Sequence, residues 1–377
     1  MTRFALTAKS VFMAGRLVED LAVLVEDGRI ADLTPPKELP PDVPLRDLGA
    51  GILAPGFVDA QVNGGGGVLL NETPTVDGVR AIAAAHRRFG TTGLLPTVIT
   101  DAPEVMQAAV AAVSEAIRQA VPGVLGIHIE GPFIDPARKG AHDPRFVRTP
   151  TDVDIDWLCG LDCGRVLVTL APNMVELSAI EKLSKAGVIV SLGHSDATAG
   201  QALAAIKAGA TGFTHLFNAM SQLSGRAPGM VGAALLSEAV FCGLIADGFH
   251  VDPQAIAIAL SAKRGARLFL VSDAMPSAAG GPARFALQGR PVEAVGGRLQ
   301  LADGTLAGAN ITMLDALRVI RSEVELPEAI NMATAYPATF LGLHGKFGRI
   351  APRYQASLVH LDDELNVLET WIDGQSS

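Results

Sequence analysis

The sequence predicts an α/β fold, namely a TIM (β/α)8 barrel joined to a small β-sandwich domain that both chain ends form. Between residues 52 and 345, apolar runs suited to strands alternate with helical patterns, which is typical of βα units around a parallel sheet. Eight such runs over about 290 residues match the size of a TIM barrel. Short strand-like runs return at both termini, which predicts the second domain.

The two chain ends are predicted to pair with each other. Near the N-terminus, two short apolar runs flank Glu26-Asp27-Gly28. This is a hairpin signal, because Asp-Gly accommodates the positive φ angles of a tight turn. Residues 348–374 contain similar short runs and a second Asp-Gly. We therefore assign residues 1–51 and 346–377 to a small β-domain and residues 52–345 to the barrel.

The barrel elements follow from the alternation of patterns. The predicted strands cover residues 52–62, 93–99, 124–130, 165–171, 188–194, 212–216, 241–246 and 268–272. Helices are predicted between most of them, including 76–89, 103–120, 175–186, 198–208 and 252–264. The rhythm breaks at residues 281–306, where two strand-like runs surround Gly296-Gly297. This predicts a hairpin inserted after the eighth strand.

Composition excludes several classes of function. The chain has 377 residues, a formal net charge of -9 and 5% aromatic residues, and it has no block of lysine and arginine, which argues against a nucleic-acid groove. No apolar run reaches the roughly 18 residues of a membrane span. The start of the chain shows no signal peptide. Three cysteines cannot all pair within one chain, which favours a reducing cytoplasm, and Cys159 and Cys163 fit buried thiols better than a metal site.

Three strand ends carry side chains that suit a metal. In residues 126–133, Gly-Ile-His-Ile-Glu-Gly-Pro-Phe, alternation places His128 and Glu130 on the same face, with Glu130 at the strand tip. His194 and His215 end two further predicted strands. A catalytic zinc site usually has three N or O ligands and one open position. A lone histidine at a strand end is more often a core residue, but three such residues in one barrel favour a metal site.

Asp273 is the candidate general base. It follows the apolar run 268–272 and precedes Ala-Met-Pro. A carboxylate there can take a proton from an activated water and return it to a leaving group. Ser-Asp before a turn is also a common capping pair, so the assignment depends on a metal opposite Asp273.

A third group of residues suits an oxyanion. His250 closes the seventh predicted strand, Asn218 follows the second histidine ligand, and Arg226 lies in a loop flanked by glycines. Amide, guanidinium and exposed backbone N–H groups together favour a phosphate or another oxyanion. Arg226 taken alone would be a solvated loop residue.

Six segments, spread over essentially the whole chain, form a specific pattern. They are Pro55-Gly-Phe-Val-Asp59, His128-Ile-Glu-Gly-Pro132, Leu192-Gly-His-Ser195, Thr214-His-Leu-Phe-Asn-Ala-Met220, Ala246-Asp-Gly-Phe-His250 and Val271-Ser-Asp-Ala274. This pattern resembles the N-acetylglucosamine-6-phosphate deacetylases of the amidohydrolase superfamily.

The resemblance implies a role for each matching position. Glu130, His194 and His215 would hold one divalent metal per subunit, with zinc expected first and iron, cobalt or manganese as alternatives. Asp273 would be the catalytic acid and base, and His142 would lie near the acetamido carbonyl. The implied substrate contacts are Gln61, Ala141, Asn218, Ala219, Arg226, Asp247, His250, Leu306, Ala307 and Gly308, of which Asn218, Ala219, Arg226 and His250 would bind the phosphate. The resemblance also implies a homodimer or higher homo-oligomer, in which a neighbouring subunit can complete the phosphate site.

Two departures from the wider superfamily point to a single metal. Many amidohydrolases carry His-x-His at the end of strand 1, whereas this chain has Gln61-Val62-Asn63. Strand 4 ends in Ala171-Pro172-Asn173 without a lysine, which removes the carboxylated-lysine bridge of some branches. His128 is expected either to support the metal ligands from behind, since it shares a face with Glu130, or to pack inside the barrel.

The expected activity is hydrolysis of N-acetyl-D-glucosamine 6-phosphate to D-glucosamine 6-phosphate and acetate, in amino-sugar catabolism and cell-wall recycling. One alternative is the galactosamine epimer of the same substrate, and another is a hydrolase or deaminase of cyclic amides or amidines. A deaminase should lack the group of Asn218, Arg226 and His250. A non-catalytic metal-binding module is a remote alternative, because Asp273 accompanies all three ligands.

Overall fold

A computed structural model describes residues 3–263 and 266–377. Its strands are β1 Arg3–Thr7, β2 Ser10–Met13, β3 Arg16–Val18, β4 Ala22–Glu26, β5 Arg29–Thr34, β6 Leu45–Asp47, β7 Ile52–Pro55, β8 Phe57–Val62, β9 Gly64–Gly65, β10 Val68–Leu69, β11 Thr91–Ile99, β12 Gly126–Glu130, β13 Arg165–Leu170, β14 Ile189–Leu192, β15 Gly212–Phe213, β16 Phe241–Leu244, β17 Leu268–Leu270, β18 Arg284–Leu287, β19 Arg290–Val295, β20 Arg298–Gln300, β21 Leu358–Leu361, β22 Val367–Ile372 and β23 Gln375–Ser376. Its helices are α1 Val76–Arg87, α2 Pro103–Arg118, α3 Asp152–Cys159, α4 Leu177–Lys185, α5 Ala199–Lys207, α6 Gly229–Leu236, α7 Pro253–Ala262, α8 Met313–Ile320, α9 Leu326–Ala333 and α10 Ala335–Phe340, with short 3-10 turns at Pro36–Glu38 and Pro136–Arg138.

The central sheet confirms the predicted barrel. Eight parallel strands run in the order β17-β16-β15-β14-β13-β12-β11-β8, so the first and last barrel strands of the chain form its two edges. The backbone N–H of Asp273 donates to the carbonyl of Gln61 at 3.0 Å, and Val62 forms a bridge with Ala274. These contacts bring the two edges together and nearly close the barrel. The carboxyl ends of all eight strands therefore face one rim.

Apolar side chains fill the barrel inside and out. An inner cluster includes Val58, Leu95, Leu167 and Phe269, and a larger cluster packs the helices against the outside of the sheet. Helix α1 shows why the helices begin where they do, because the Thr75 hydroxyl accepts a hydrogen bond from the backbone N–H of Gly78 and so caps the first turn. No described helix is long and apolar enough to cross a membrane.

The chain ends form a separate pair of sheets, as predicted. One sheet has the order β5-β4-β1-β6 and the other β23-β22-β21-β7-β2-β3. Leu6 and Val23 from the first sheet share one apolar cluster with Leu53, Leu358 and Trp371 from the second. The two layers thus bury a common core, as a sandwich does.

The single strand predicted over residues 52–62 is wrong. The structure divides it at Gly56: β7 pairs with β2 and β21 in the terminal sheet, whereas β8 starts the barrel. A Cβ atom at Gly56 would lie 2.1 Å from the Thr92 side chain, so the close crossing requires glycine there. The division into residues 1–51 with 346–377 and residues 52–345 stays a prediction, and the pairing of β7 leads us to propose a first boundary after Pro55.

Several predicted strands also extend too far. β14 and β15 end at Leu192 and Phe213, each two residues before the histidine that was expected to close the strand. His194 and His215 have φ angles of 46° and 32°, which are incompatible with a strand. The apolar pattern does not record this change of backbone direction. The predicted helix 252–264 ends at Ala262 in the structure, and Arg264 lies outside the described residues.

The segment inserted after the eighth strand is larger than the predicted hairpin. It forms a three-stranded antiparallel sheet in the order β18-β19-β20. Gly296 and Gly297 turn the chain between β19 and β20, as expected, and a second turn at Gln288-Gly289 separates β18 from β19. Arg290 Nη2 donates to the carbonyl of Ala141 at 2.6 Å. The inserted sheet therefore contacts the loop that follows strand β12, at the rim of the barrel.

Candidate metal centre and active site

Three predicted ligands meet at the carboxyl-end rim of the barrel. Glu130 is the last residue of β12, and His194 and His215 follow β14 and β15. The positive φ angles of the two histidines turn their side chains inward. All three side chains are buried, with exposures of 5% or less. Parallel strands from different parts of the chain thus bring these residues to one place.

The donor atoms of this cluster are close to one another. Glu130 Oε1 lies 3.2 Å from His194 Nε2 and 3.1 Å from His215 Nε2. The two Nε2 atoms lie 3.0 Å apart. In a tetrahedral zinc site with bonds of about 2.0 to 2.2 Å, ligand atoms lie about 3.3 to 3.6 Å apart. A small outward movement of the three side chains therefore gives a metal-binding geometry.

The hydrogen bonds around the cluster fit a bound cation. The Nδ1–H of His194 donates to the backbone carbonyl of Arg138 at 2.9 Å, so in the neutral ring Nε2 presents a lone pair. That lone pair is directed at Glu130 Oε1, which is also an acceptor. Two converging acceptors need a proton or a cation between them. The Nδ1 atom of His215 is buried without a hydrogen-bond partner among the described residues.

Electrostatics also favour an ionised carboxylate at this position. Burial alone would raise the pKa of Glu130, but the hydrogen bonds and charges of His194 and His215 lower it well below its usual value. Burial alone would lower the pKa of His215, whereas contact with Glu130 raises it. One oxygen and two imidazole nitrogens form a donor set that zinc and related divalent metals accept. The residues present therefore fit one divalent metal, whose identity this donor set leaves open.

Asp273 lies in the same cleft as the three ligands. Burial and the charge of Glu130 raise its pKa to about 6, against the opposing effects of His215, His250 and the Asn63 amide. Its φ angle of 48° directs the carboxylate away from the strand and towards the rim. A base whose pKa is near the working pH exchanges protons readily. The structure thus places Asp273 in one cleft with the three candidate ligands, and its role as the base stays a prediction.

Two amides at the end of β8 contact this carboxylate. Asn63 Nδ2 donates to Asp273 Oδ1 at 2.7 Å, and Gln61 Nε2 donates to the same oxygen at 3.1 Å. Gln61 Nε2 also donates to both oxygens of Glu130, at 3.1 and 3.2 Å. Gln61 was expected as a substrate contact, but the structure places it behind the carboxylates and not among the residues that line the cleft.

His142 lines the same cleft. Its ring centroid lies 4.5 Å from that of His194, and its Nδ1 atom is 2.8 Å from the Thr100 hydroxyl. Burial lowers its pKa well below the usual value, so the ring is neutral. A neutral imidazole beside the metal cluster can orient a polar substrate group without adding charge.

The remaining cleft wall contains most of the predicted substrate contacts. The cleft has a volume of about 400 Å³. Its lining includes Ala141, Asn218, Ala219, His250, Leu306, Ala307 and Gly308. Gly308 has a φ angle of 63°, and a Cβ atom there would lie 2.9 Å from the carbonyl of Asp273. A residue without a side chain is thus required where this turn passes the base.

Besides Gln61, two predicted contacts lie outside the cleft lining. Asp247 accepts from His250, with Oδ2 2.6 Å from Nδ1, so it orients this imidazole from behind. Arg226 is exposed, and it is absent from the cleft lining of its own chain.

The sequence interpretation missed some cleft residues and left the role of His128 open. Asn63, Arg138 and Thr305 line the cleft without having been predicted as contacts. Asn63 could have been found, because it shares a strand end with Gln61. His128 does not support the ligands directly: its Nδ1 and Nε2 atoms contact the hydroxyls of Thr97 and Thr169 at 3.2 and 2.7 Å. Burial lowers its pKa to about 4, and it is a neutral residue of the barrel interior.

Comparison with known proteins agrees with this site. Residues 52–376 match the model of the amidohydrolase family, and the chain belongs to this family. It is 45% identical over 371 residues to the N-acetylgalactosamine-6-phosphate deacetylase of Shewanella sp. (strain ANA-3), covering 97% of this chain and 93% of that protein. It is 35% identical to the N-acetylglucosamine-6-phosphate deacetylase of Haemophilus influenzae, covering 99% of each.

A solved structure gives the same picture of the fold. The N-acetylglucosamine-6-phosphate deacetylase from Pasteurella multocida superposes with a TM-score of 0.96 at 34% sequence identity, covering 100% of both chains. The resemblance inferred from the six segments is therefore confirmed. The barrel and the terminal sandwich are both shared along the full length of that relative.

Proposed function

We propose that this protein hydrolyses the acetamido group of an N-acetylhexosamine 6-phosphate, with N-acetyl-D-glucosamine 6-phosphate as the expected substrate and D-glucosamine 6-phosphate and acetate as products. The observation that carries the proposal is the shared cleft of Glu130, His194, His215 and Asp273. It combines a metal-binding donor set with a buried carboxylate, as amide hydrolysis near neutral pH requires. Relatives named as deacetylases of such substrates support it.

The residues of the chain have distinct roles in this reaction. When bound by Glu130, His194 and His215, the divalent metal supplies Lewis acidity and favours ionisation of water. Asp273 takes a proton from the attacking water as its oxygen adds to the acetyl carbon, and later returns that proton to the departing sugar nitrogen. The two transfers leave Asp273 ionised again for the next turnover.

His142 would act on the acetyl oxygen. We assign the tautomer in which the Thr100 hydroxyl donates to Nδ1, which leaves Nε2–H free to donate into the cleft. Such a donor stabilises the negative charge that develops on the oxygen as the carbonyl carbon becomes tetrahedral. The neutral state of the ring, which burial favours, keeps this role independent of pH near neutrality.

The phosphate would bind at the end of the cleft away from the metal. His250, held by Asp247, and Asn218 with the backbone of Ala219 are the groups available within one chain. Arg226 faces solvent in the single chain, so we propose that it binds the phosphate held by a neighbouring subunit of a homodimer or larger homo-oligomer. We further propose zinc as the resident metal, since one oxygen and two imidazole nitrogens suit it. We propose the cytoplasm as the location, since the three thiols are free.

The galactosamine epimer is a second candidate substrate. The relative with 45% identity is named as a deacetylase of N-acetylgalactosamine 6-phosphate, whereas those named for the glucosamine epimer and described above are 34 to 35% identical. The two substrates differ only in the configuration at C4. Hydrolysis of a cyclic amide or amidine is not favoured, because these relatives act on acetylated sugars by name.

Acetate release from both epimers, measured side by side with metal-assayed protein, tests the proposal. We expect a preference for phosphorylated over unphosphorylated sugar, and loss of activity in Asp273→Asn with bound metal retained. The ratio of kcat/KM between the epimers then identifies the substrate. Metal-loaded protein that releases no acetate from either phosphate would overturn the proposed function.

A further inference from the structure

The catalytic carboxylate is held on one side only. Asp273 Oδ1 accepts hydrogen bonds from Asn63 Nδ2 at 2.7 Å and from Gln61 Nε2 at 3.1 Å. All three side chains are at most 8% exposed. Among the residues that the structure describes, no group donates to Oδ2 of Asp273, while the residue itself lines the cleft. The two carboxylate oxygens therefore have different surroundings.

Gln61 links this carboxylate to the metal cluster. A primary amide has two N–H hydrogens, and Gln61 Nε2 lies within 3.1 to 3.2 Å of both Glu130 and Asp273. One hydrogen is thus available for each carboxylate. The amide places partial positive charge between two buried acidic groups, and it fixes their separation.

The side chain of Asn63 has one buried polar atom without a hydrogen-bond partner among the described residues. This atom is Oδ1, and an unpaired buried acceptor destabilises a fold because nothing replaces its lost hydrogen bonds to water. The flipped amide would direct Oδ1 at the carboxylate oxygen and is excluded by repulsion. The orientation found uses Nδ2 as a donor to Asp273, which indicates that this donor is the reason for an asparagine here.

The backbone around these side chains is equally constrained. The N–H of Asp273 donates to the carbonyl of Gln61 at 3.0 Å, and the N–H of Gly64 donates to the carbonyl of Ala274 at 2.9 Å. The ends of β8 and β17 are thus joined on both sides of the side-chain contacts. Backbone and side-chain hydrogen bonds thus link Gln61, Asn63 and Asp273 to one another at the same point of the rim.

We propose that Gln61 and Asn63 are positioning residues that assign separate tasks to the two oxygens of Asp273. Their amides hold Oδ1 as a permanent acceptor, so Oδ2 is the oxygen that takes the proton from water and returns it to the sugar nitrogen. An O–H bond of water breaks as the Oδ2–H bond forms, and Oδ2–H breaks as the new N–H bond forms. The inference rests on the proposed function, and it gives Gln61 a role other than substrate contact.

Two substitutions of Asn63 test whether the donated hydrogen bond matters. Asn63→Ala removes the donor, and we expect kcat to fall roughly 10- to 100-fold with KM within about threefold and metal content unchanged. Asn63→Asp preserves size and shape but directs a like charge at Oδ1, so it should be less active than the alanine variant. Higher activity in Asn63→Asp than in Asn63→Ala would contradict the proposal, because a merely space-filling role predicts that order.

Substitutions of Gln61 separate its two contacts. Gln61→Met keeps similar volume without donors, and we expect a fall in kcat of about 10-fold together with weaker metal binding, because Glu130 also loses a partner. A fall in metal affinity without any effect on kcat at saturating metal would show that Gln61 serves only Glu130. Asn331→Ala on helix α9 is the control. Asn331 does not line the cleft, so this variant shows the effect of removing a side-chain amide far from Asp273 in the sequence and outside the site.

A crystal structure of metal-loaded Asn63→Ala provides a test that needs no activity. We expect the Asp273 carboxylate to rotate or to occupy two orientations. An unchanged, fully ordered carboxylate in both Asn63→Ala and Gln61→Met would overturn the positioning role. If the wild-type protein releases no acetate from either sugar phosphate, the proposed function fails, while this structural comparison still decides whether the amides orient Asp273.

Discussion

The two ends of the cleft differ in how complete they are within one chain. At the metal end, each of Glu130, His194 and Asp273 has a hydrogen-bonding partner in the same chain. At the proposed phosphate end, His250 has Asp247, but Arg226 is exposed and absent from the cleft lining. Strand ends fix the first group through the ladder of the barrel, whereas loops carry the second. The fold of a single chain therefore positions the candidate metal ligands and Asp273 more completely than it positions the proposed phosphate contacts.

The largest effect should come from removing a metal ligand. Glu130→Gln keeps the shape of the side chain but loses the charged donor, so we expect poor metal retention and a fall in kcat/KM on the order of 1000-fold, since metal assistance contributes several kcal/mol. Metal content by elemental analysis and acetate release measure the two effects. If Glu130→Gln stayed active and kept its metal, Glu130 would not be an essential ligand, and the cleft would not have a separate metal end.

At the proposed phosphate end, a substitution should weaken substrate binding strongly and change the rate of the chemical step little. His250→Ala should raise KM for the phosphorylated sugar by roughly 10- to 100-fold, as expected for loss of a hydrogen bond to a charged group, with a smaller change in kcat. The unphosphorylated sugar should be hydrolysed equally by both proteins. A fall in kcat without a change in KM would place His250 at the reacting group instead.

Mixed oligomers would test whether Arg226 acts across subunits. Arg226→Ala has an intact base, and Asp273→Asn has an intact arginine. If the arginine serves a neighbouring site, mixing and reassembling the two variants should restore part of the low KM that Arg226→Ala alone has lost. Additive behaviour without recovery, in a protein that light scattering shows to be oligomeric, would limit Arg226 to its own chain or to the solvent.

The pH profile should report the base at the metal end. Asp273 acts as a base only when ionised, so kcat/KM should fall as pH decreases through its pKa, which is raised to about 6 by burial and Glu130. A bound cation lowers this pKa, so the acid limb should lie at or below about pH 6. An acid limb well above pH 7 that persists in both epimeric substrates would indicate another ionising group.

The smallest effect concerns Asp59, a buried carboxylate on β8. Burial raises its pKa to about 7, while the backbone N–H groups of Gln61 and Ser272 donate to one of its oxygens. The folded state therefore holds a proton between about pH 4 and 7 that the unfolded state releases, and the free energy of unfolding falls as pH rises through this window. Asp59→Asn should lack that decline, which is at most a few kcal/mol. Parallel thermal melts from pH 4 to 8 measure the difference.

The sequence predicted the metal end better than the phosphate end for a physical reason. Alternating apolar runs locate barrel strands, and the ladder then brings Glu130, His194 and His215 together wherever their strands end. The positive φ angles that turn the histidines inward, however, are not visible in an apolar pattern. The family resemblance assigned Gln61 to the substrate, and the apolar pattern does not reveal its amide contacts with Glu130 and Asp273 because these depend on barrel closure. Arg226 lies in an exposed loop, and no strand ladder fixes its position.

The sequence separation of the contacts in the site predicts the order in which they form during folding. The three metal-ligand candidates are 21 to 85 residues apart in sequence, whereas Gln61 and Asp273 are 212 apart. Contacts between distant parts of a chain cost more loop entropy and form later. A folding intermediate with strands β12 to β15 in place could bind metal before its base is assembled. We therefore expect metal uptake to precede the return of activity during refolding, and simultaneous recovery would show that the barrel closes in one step.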